Sequence, residues 1–127
     1  MKVLTVGPWR HPGVIAWSHY AETGENSIRI VSEDGEPIAV ATACLHPPAP
    51  RAPERMVWLK GWSENDGLPQ ALEHSGVVEL LPVYHPTGHV QAQLAKLTPA
   101  ALAELRLAYA NNPQATADRE RARLAVR

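Results

Sequence analysis

Residues 27–45 read SIRIVSEDGEPIAVATACL, and this stretch decides the fold. Ile28 and Ile30 alternate with Arg29, the period of a half-buried strand. Asp34-Gly35 follows, a pair suited to the positive φ angles of a tight hairpin turn. From Ile38 onward the apolar residues run on without polar alternation. Ile38, Val40, Thr42 and Cys44 fall on one face of an extended chain, and Ala39, Ala41, Ala43 and Leu45 on the other. Both sets are apolar or small, so 37–45 is expected to be a central strand covered on both sides. Its alanine face suits close approach of a helix. Cys44 then sits on a core face, as a structural thiol rather than a nucleophile.

Upstream, residues 2–6 (KVLTV) and 14–20 (VIAWSHY) carry the β-branched and aromatic residues of strands, with turns at Gly7-Pro8 and His11-Pro12-Gly13. Downstream, 46–53 (HPPAPRAP) holds four prolines in eight positions and reads as a stiff crossover loop rather than a docking segment. Residues 56–61 (MVWLKG) read as a strand. Residues 67–75 read as a short helix, with capping residues from Ser63 to Asp66, Pro69 in the first turn and Gly76 as the stop. Residues 77–81 and 89–95 form a hairpin about the turn His85-Pro86-Thr87-Gly88. Val90, Ala92 and Leu94 face inward there, while Gln91 and Gln93 face solvent. Thr98-Pro99 opens a helix over 98–111, with the stripe Leu102, Leu105, Tyr109, and Asn111-Asn112-Pro113 ends it. Residues 114–127 have helical propensity but only Leu124 and Val126 as anchors.

The expected fold is therefore α+β: a mainly antiparallel sheet of about five to seven strands with two short packed helices and a helical or frayed C-terminal tail. A length of 127 residues suits one domain over 1–112 followed by a basic tail over 113–127. Such a chain buries roughly two-thirds of its unfolded surface and folds without a disulfide or metal staple. The start, MKVLTVGPW, lacks the apolar run of a signal peptide, and Cys44 is alone, so the expectation is a cytoplasmic protein. No apolar run approaches the roughly 20 residues of a membrane span.

Twelve Lys and Arg against thirteen Asp and Glu give a net charge of -1, without the basic excess of a nucleic-acid binder. Charge clusters locally. Residues 64–79 hold four acids and no Lys or Arg, which would face phosphate badly, and the last ten residues hold four Arg. There is no Walker loop, no GxGxxG and no nucleophile elbow around Ser63. His85 and His89 are spaced like half of a zinc-finger set, but no CxxC precedes them. No cofactor or metal is implied, and the balance argues against an enzyme.

The densest chemistry lies at Trp58-Leu59-Lys60-Gly61-Trp62-Ser63-Glu64-Asn65-Asp66-Gly67. The candidate binding residues are Lys60, Trp62, Ser63, Glu64, Asn65 and Asp66. Tryptophan supplies contact area at low entropic cost, and the polar residues supply directional hydrogen bonds. The structural alternative is that the tryptophans fill the core while Ser63, Asn65 and Asp66 cap the helix. Lys60–Gly67 and the turn Pro86-Thr87-Gly88 resemble a family of small bacterial and phage proteins of unknown function with a Lys-x-Trp-Ser-Glu-Asn-x-Gly core. The likeness covers residues 41–97. It departs at Gly61, where the pattern has an acidic residue, and in the length between Val78 and Pro86. It implies an accessory protein of a phage, plasmid or other mobile element, supplies no activity, and raises the weight on residues 60–67. The first expectation is a non-enzymatic binding protein that docks on a host protein. The alternatives are a small-molecule binder or small enzyme with a polar site near Glu64 and Asn65, including His85 or His89, and a weak nucleic-acid binder through the arginine tail. Homo-oligomerisation is left open.

Overall fold

The structure, a computed structural model, describes residues 1–45 and 49–111. The tail over 113–127 and residues 46–48 of the proline segment lie outside the described residues. The architecture is α+β. Strands β1 (Lys2–Val3), β2 (Gly13–His19), β3 (Asn26–Val31) and β4 (Pro37–Val40) form one antiparallel sheet in the order β1-β2-β3-β4. Strands β5 (Met56–Leu59), β6 (Val78–Thr87) and β7 (Val90–Leu97) form a second in the order β5-β7-β6. Helix α1 (Leu68–His74) links β5 to β6, and α2 (Pro99–Ala110) follows β7.

The alternating isoleucines set the first register: Ile28 stands opposite Trp17, and Ile30 opposite Ile15 and Ala39. The Ser32–Glu36 turn closes on the Ser32 N–H to Glu36 O bond at 2.8 Å. Residues 37–45 are not one central strand. β4 is the outer strand of its sheet and ends at Val40, which is 37% exposed. The chain then changes partners. The Ala41 N–H still donates to Ile28 O at 2.9 Å, but Lys60 N–H donates to Ala41 O and Ala43 N–H to Trp58 O, each at 2.9 Å. Thr42 forms a single antiparallel bridge to Leu59. The cause lies partly in Thr42: its buried hydroxyl accepts from the Ile28 N–H and donates to Ser27 Oγ, so a side chain takes over one ladder donor of β3. Residues 37–45 thus pair with two sheets in succession, and over Pro37–Val40 they are not covered on both sides. Cys44 is only half-buried, beside the Thr23 hydroxyl rather than on a core face.

One apolar core spans both sheets and both helices. It joins Val3, Trp9, Ile28 and Ile30 to Val57, Leu59, Val78, Ala95 and Leu97, with Leu68, Ala71 and Leu72 of α1 and Leu102, Leu105 and Tyr109 of α2. Each fully buried Leu or Ile contributes about 1.5–3 kcal/mol. α2 starts as its Thr-Pro sequence demands: Thr98 Oγ1 accepts from the Ala101 N–H at 3.2 Å, and Pro99 occupies the first turn. At the other end the Tyr109 hydroxyl donates to Ser18 O at 2.7 Å. A smaller cluster covers the other face of the second sheet. There Trp58, Ala92 and Leu94 pack under Leu45, Ala49 and Ala52, and the Trp58 indole N–H donates to Pro50 O at 3.1 Å. The described part of the proline segment, 49–53, therefore lids the sheet.

The β6–β7 turn is tighter than HPTG suggests. Residues through Thr87 pair as strand, with His85 opposite Ala92, and only Gly88 and His89 make the bend. Gly88 takes φ +63°, which a two-residue turn of this hand asks of its first position.

Candidate functional site

The second sheet is longer than the helix laid against it. Along β7 the side chains alternate, so Leu97, Ala95, Gln93 and Gln91 share one face. Leu97 and Ala95 belong to the main core with α1. Val57, Ala95 and Leu80 make one cross-strand row, and Leu59, Gln93 and Tyr84 make the next row toward the hairpin tip. α1 has seven residues and is about 10 Å long, whereas eight residues of β7 reach about 26 Å. The helix shelters the first rows and leaves the outer ones open. The result is a cleft of about 650 Å³.

Three pieces of chain line this cleft. The sheet contributes Leu59, Gln91 and Gln93. The loop and start of α1 contribute Gly61, Trp62, Asp66, Pro69 and Gln70. The hairpin contributes Tyr84, His89 and Val90. Gln93 is fixed, because its Nε2 donates to Leu81 O at 3.0 Å. That carbonyl is presented by a bulge: between the pairs Leu80–Ala95 and Tyr84–Gln93 the ladder of β6 is interrupted. The same irregularity carries Val83 and Tyr84 outward, 44% and 54% exposed. The glutamine face is thus neither core nor open solvent, as the alternation implies, but the floor of a cleft.

The six sequence-derived site residues separate into two groups. Trp62 and Asp66 line the cleft. Lys60, Ser63, Glu64 and Asn65 are not among its lining residues. Ser63–Asn65 form a 3-10 turn, closed by Asn65 N–H to Trp62 O at 3.0 Å and Asp66 N–H to Ser63 O at 3.1 Å. Ser63 takes φ +54°, a left-handed conformation that costs a non-glycine residue roughly 1–2 kcal/mol. None of these side chains caps α1. Its N-cap is Gly67, at φ +81°, with no side-chain hydrogen bond. A Cβ there would come within 2.7 Å of Pro8 Cγ and 2.9 Å of Trp9 N. Asn65 is 1% exposed, and its Nδ2 donates to Val40 O at 2.8 Å and to Lys60 O at 3.4 Å. Glu64 is exposed. The loop is therefore a brace that holds Trp62 and Asp66 at the mouth of the cleft.

The histidines part company. His85 faces the smaller cluster, its ring 6.1 Å from that of Trp58, while His89 lines the cleft. Among the described residues no three His, Cys, Asp or Glu side chains gather in a metal-binding arrangement. Burial pushes the Cys44 thiol pKa up, and Glu25 and Glu22 add to that against the opposing Thr23 hydrogen bond and Arg51 charge. Its reactive thiolate is thereby disfavoured. No helix among the described residues is long and apolar enough to cross a membrane. What the sequence reading lacks is Gln70, Tyr84, Gln91 and Gln93. The only signal for them was the two-residue spacing of the glutamines, which fits a solvent face equally well. No family model, curated protein or solved structure matches this chain.

Proposed function

We propose that this chain is a non-enzymatic binding protein that docks on a protein partner through the mouth of the cleft. The observation that carries this is the grouping of Trp62 and exposed Tyr84 with the amides of Gln70, Gln91 and Gln93 around an open depression. Large aromatic anchors beside hydrogen-bonding groups are what protein contacts draw their energy from. A role as an accessory factor of a phage or mobile element, implied by the Lys60–Gly67 likeness, belongs to the same proposal. The test is affinity capture from the source cells with wild-type chain and Tyr84→Ala, followed by native mass spectrometry. A stoichiometric protein held by the wild type and lost from the variant supports the proposal. A partner retained equally by both removes the cleft as the contact, and a bare chain removes the partner.

A second reading, a small polar ligand, is favoured by the convergence of side chains from three segments on one cleft of ordinary ligand size. Its centre is Asp66 and the glutamines rather than Glu64 and Asn65. A small added mass that disappears in Gln91→Ala would support it. Binding through the arginine tail concerns residues outside those described.

A further inference from the structure

The charge around the cleft is one-sided. Asp66 lines it, and no Lys or Arg does. Glu64, two residues earlier, is exposed on the same 3-10 turn. The ion pairs among the described residues are the α-amine of Met1 with Glu104 and Arg106 with Glu54, so no described residue pairs with Asp66 or Glu64. The other acids of the 64–79 run are differently placed. Glu73 Oε2 accepts the Leu80 N–H at 2.8 Å, and Glu79 stands directly across from Lys96. Among the described residues, Asp66 therefore stands without a cationic partner in a cleft whose other polar groups are the glutamine amides, the Tyr84 hydroxyl, the Trp62 indole and His89, with Glu64 exposed two positions away.

We infer that the partner segment received by this cleft carries a lysine or arginine that pairs with Asp66. This inference rests on the docking proposal above and specifies its occupant. The basic side chain lies at the Asp66 side, with its aliphatic stem against Pro69 and Trp62, while the glutamine amides take up main-chain groups of the segment. A cationic head with an apolar stem suits a site with an acid at its mouth and ring carbons along its wall. An acidic segment would meet like charge and binds more weakly.

The experiment is an NMR titration of the full chain with acetyl-Ala-Ala-Lys-Ala-Ala-amide and with the same peptide carrying glutamate in place of lysine, at low salt. The reporters are the side-chain amides of Gln70, Gln91 and Gln93 and the Trp62 indole N–H. The lysine peptide is expected to shift all four, and the glutamate peptide to bind at least fivefold more weakly. Asp66→Asn is expected to weaken the lysine peptide about three- to fivefold, the scale of one partly exposed ion pair. Salt is expected to erase the same difference. Glu64→Gln, at an exposed position, gives a second charge variant should Asp66→Asn disturb the loop. Equal binding of both peptides, or of the lysine peptide to wild type and both variants, overturns the basic specificity and leaves the docking cleft standing. Shifts with maltose and with neither peptide make the cleft a saccharide site and overturn the inference. Reporters that stay fixed with every probe overturn it as well. The docking proposal itself fails separately, when a captured partner ignores Tyr84→Ala.

Discussion

The side-chain amide of Asn65 donates to the main-chain carbonyl of Val40 across 25 residues, at 2.8 Å. That bond fastens the 3-10 turn to the point where the chain leaves the first sheet for the second. It gives Asn65 a structural role, and it separates Asn65 from Trp62 and Asp66. Asn65→Ala strips the donor from Val40 O and Lys60 O in a buried setting. The expected loss is about 1–3 kcal/mol of folding stability, read from the urea midpoint at unchanged slope. A variant as stable as wild type would show that the turn stands without this tie.

Gly67 and Gly88 both hold left-handed backbone, at φ +81° and +63°, but their surroundings differ. Space around Gly88 is open, whereas a Cβ on Gly67 meets Pro8 and the Trp9 backbone nitrogen. Gly88→Ala carries only the conformational penalty, roughly 1–2 kcal/mol. Gly67→Ala carries that penalty and must also push the Trp9 loop outward. Its melting temperature is expected to fall further than that of Gly88→Ala. Equal losses would mean that the Pro8–Trp9 loop yields freely.

The extent to which the fold could be read from sequence follows from which interactions are local. The isoleucines of β3, the Asp34-Gly35 turn and the Thr98-Pro99 start of α2 depend on near neighbours, and all lie where the pattern puts them. The division of 37–45 between two sheets depends on Leu59 and Trp58, and no local pattern in 37–45 contains them. The cleft is less legible still. It exists because α1 stops short of the outer rows of β7, a mismatch of lengths between separate elements. Alternation in Gln91 and Gln93 gives the face but cannot say whether a helix covers it. Within the site loop, sequence density marked the segment that carries Trp62 and Asp66 to the cleft. It could not tell the brace, Asn65 and Gly67, from the residues the brace presents.

Cys44 should alkylate slowly. Burial raises its thiol pKa above the ordinary value, Glu25 and Glu22 raise it further, and the Thr23 hydrogen bond and Arg51 only partly oppose this. The thiolate is the reactive form, so less of it is present near neutral pH than in a free cysteine. Iodoacetamide labelling at pH 7.5, followed by intact mass, is expected to lag behind labelling of the urea-unfolded chain and to accelerate as pH rises. Labelling as fast as in the unfolded chain would show that the Thr23–Glu25 turn gives the sulfur no protection.

Glu104 ties α2 to the start of the chain and makes stability depend on pH. Its Oε1 accepts from the α-amine of Met1 at 2.8 Å, and its Oε2 accepts from the Trp17 indole N–H, also at 2.8 Å. Burial alone would raise its carboxyl pKa, but these two hydrogen bonds and the charge of the amine outweigh it, and the pKa is lowered from 4.5. A carboxylate with a lower pKa in the folded state binds its proton more tightly in the unfolded chain. Its contribution is therefore full above the unfolded value and declines as pH falls through the folded value. Urea midpoints measured from pH 7 down to pH 3 are expected to drop below about pH 4.5, as Glu104 takes up its proton. Glu104→Gln keeps the shape and removes the titration. It is expected to be less stable than wild type at pH 7 and to close the gap toward pH 3. A gap that stays constant over that range would assign the Glu104 contribution to packing and neutral hydrogen bonding rather than to its charge.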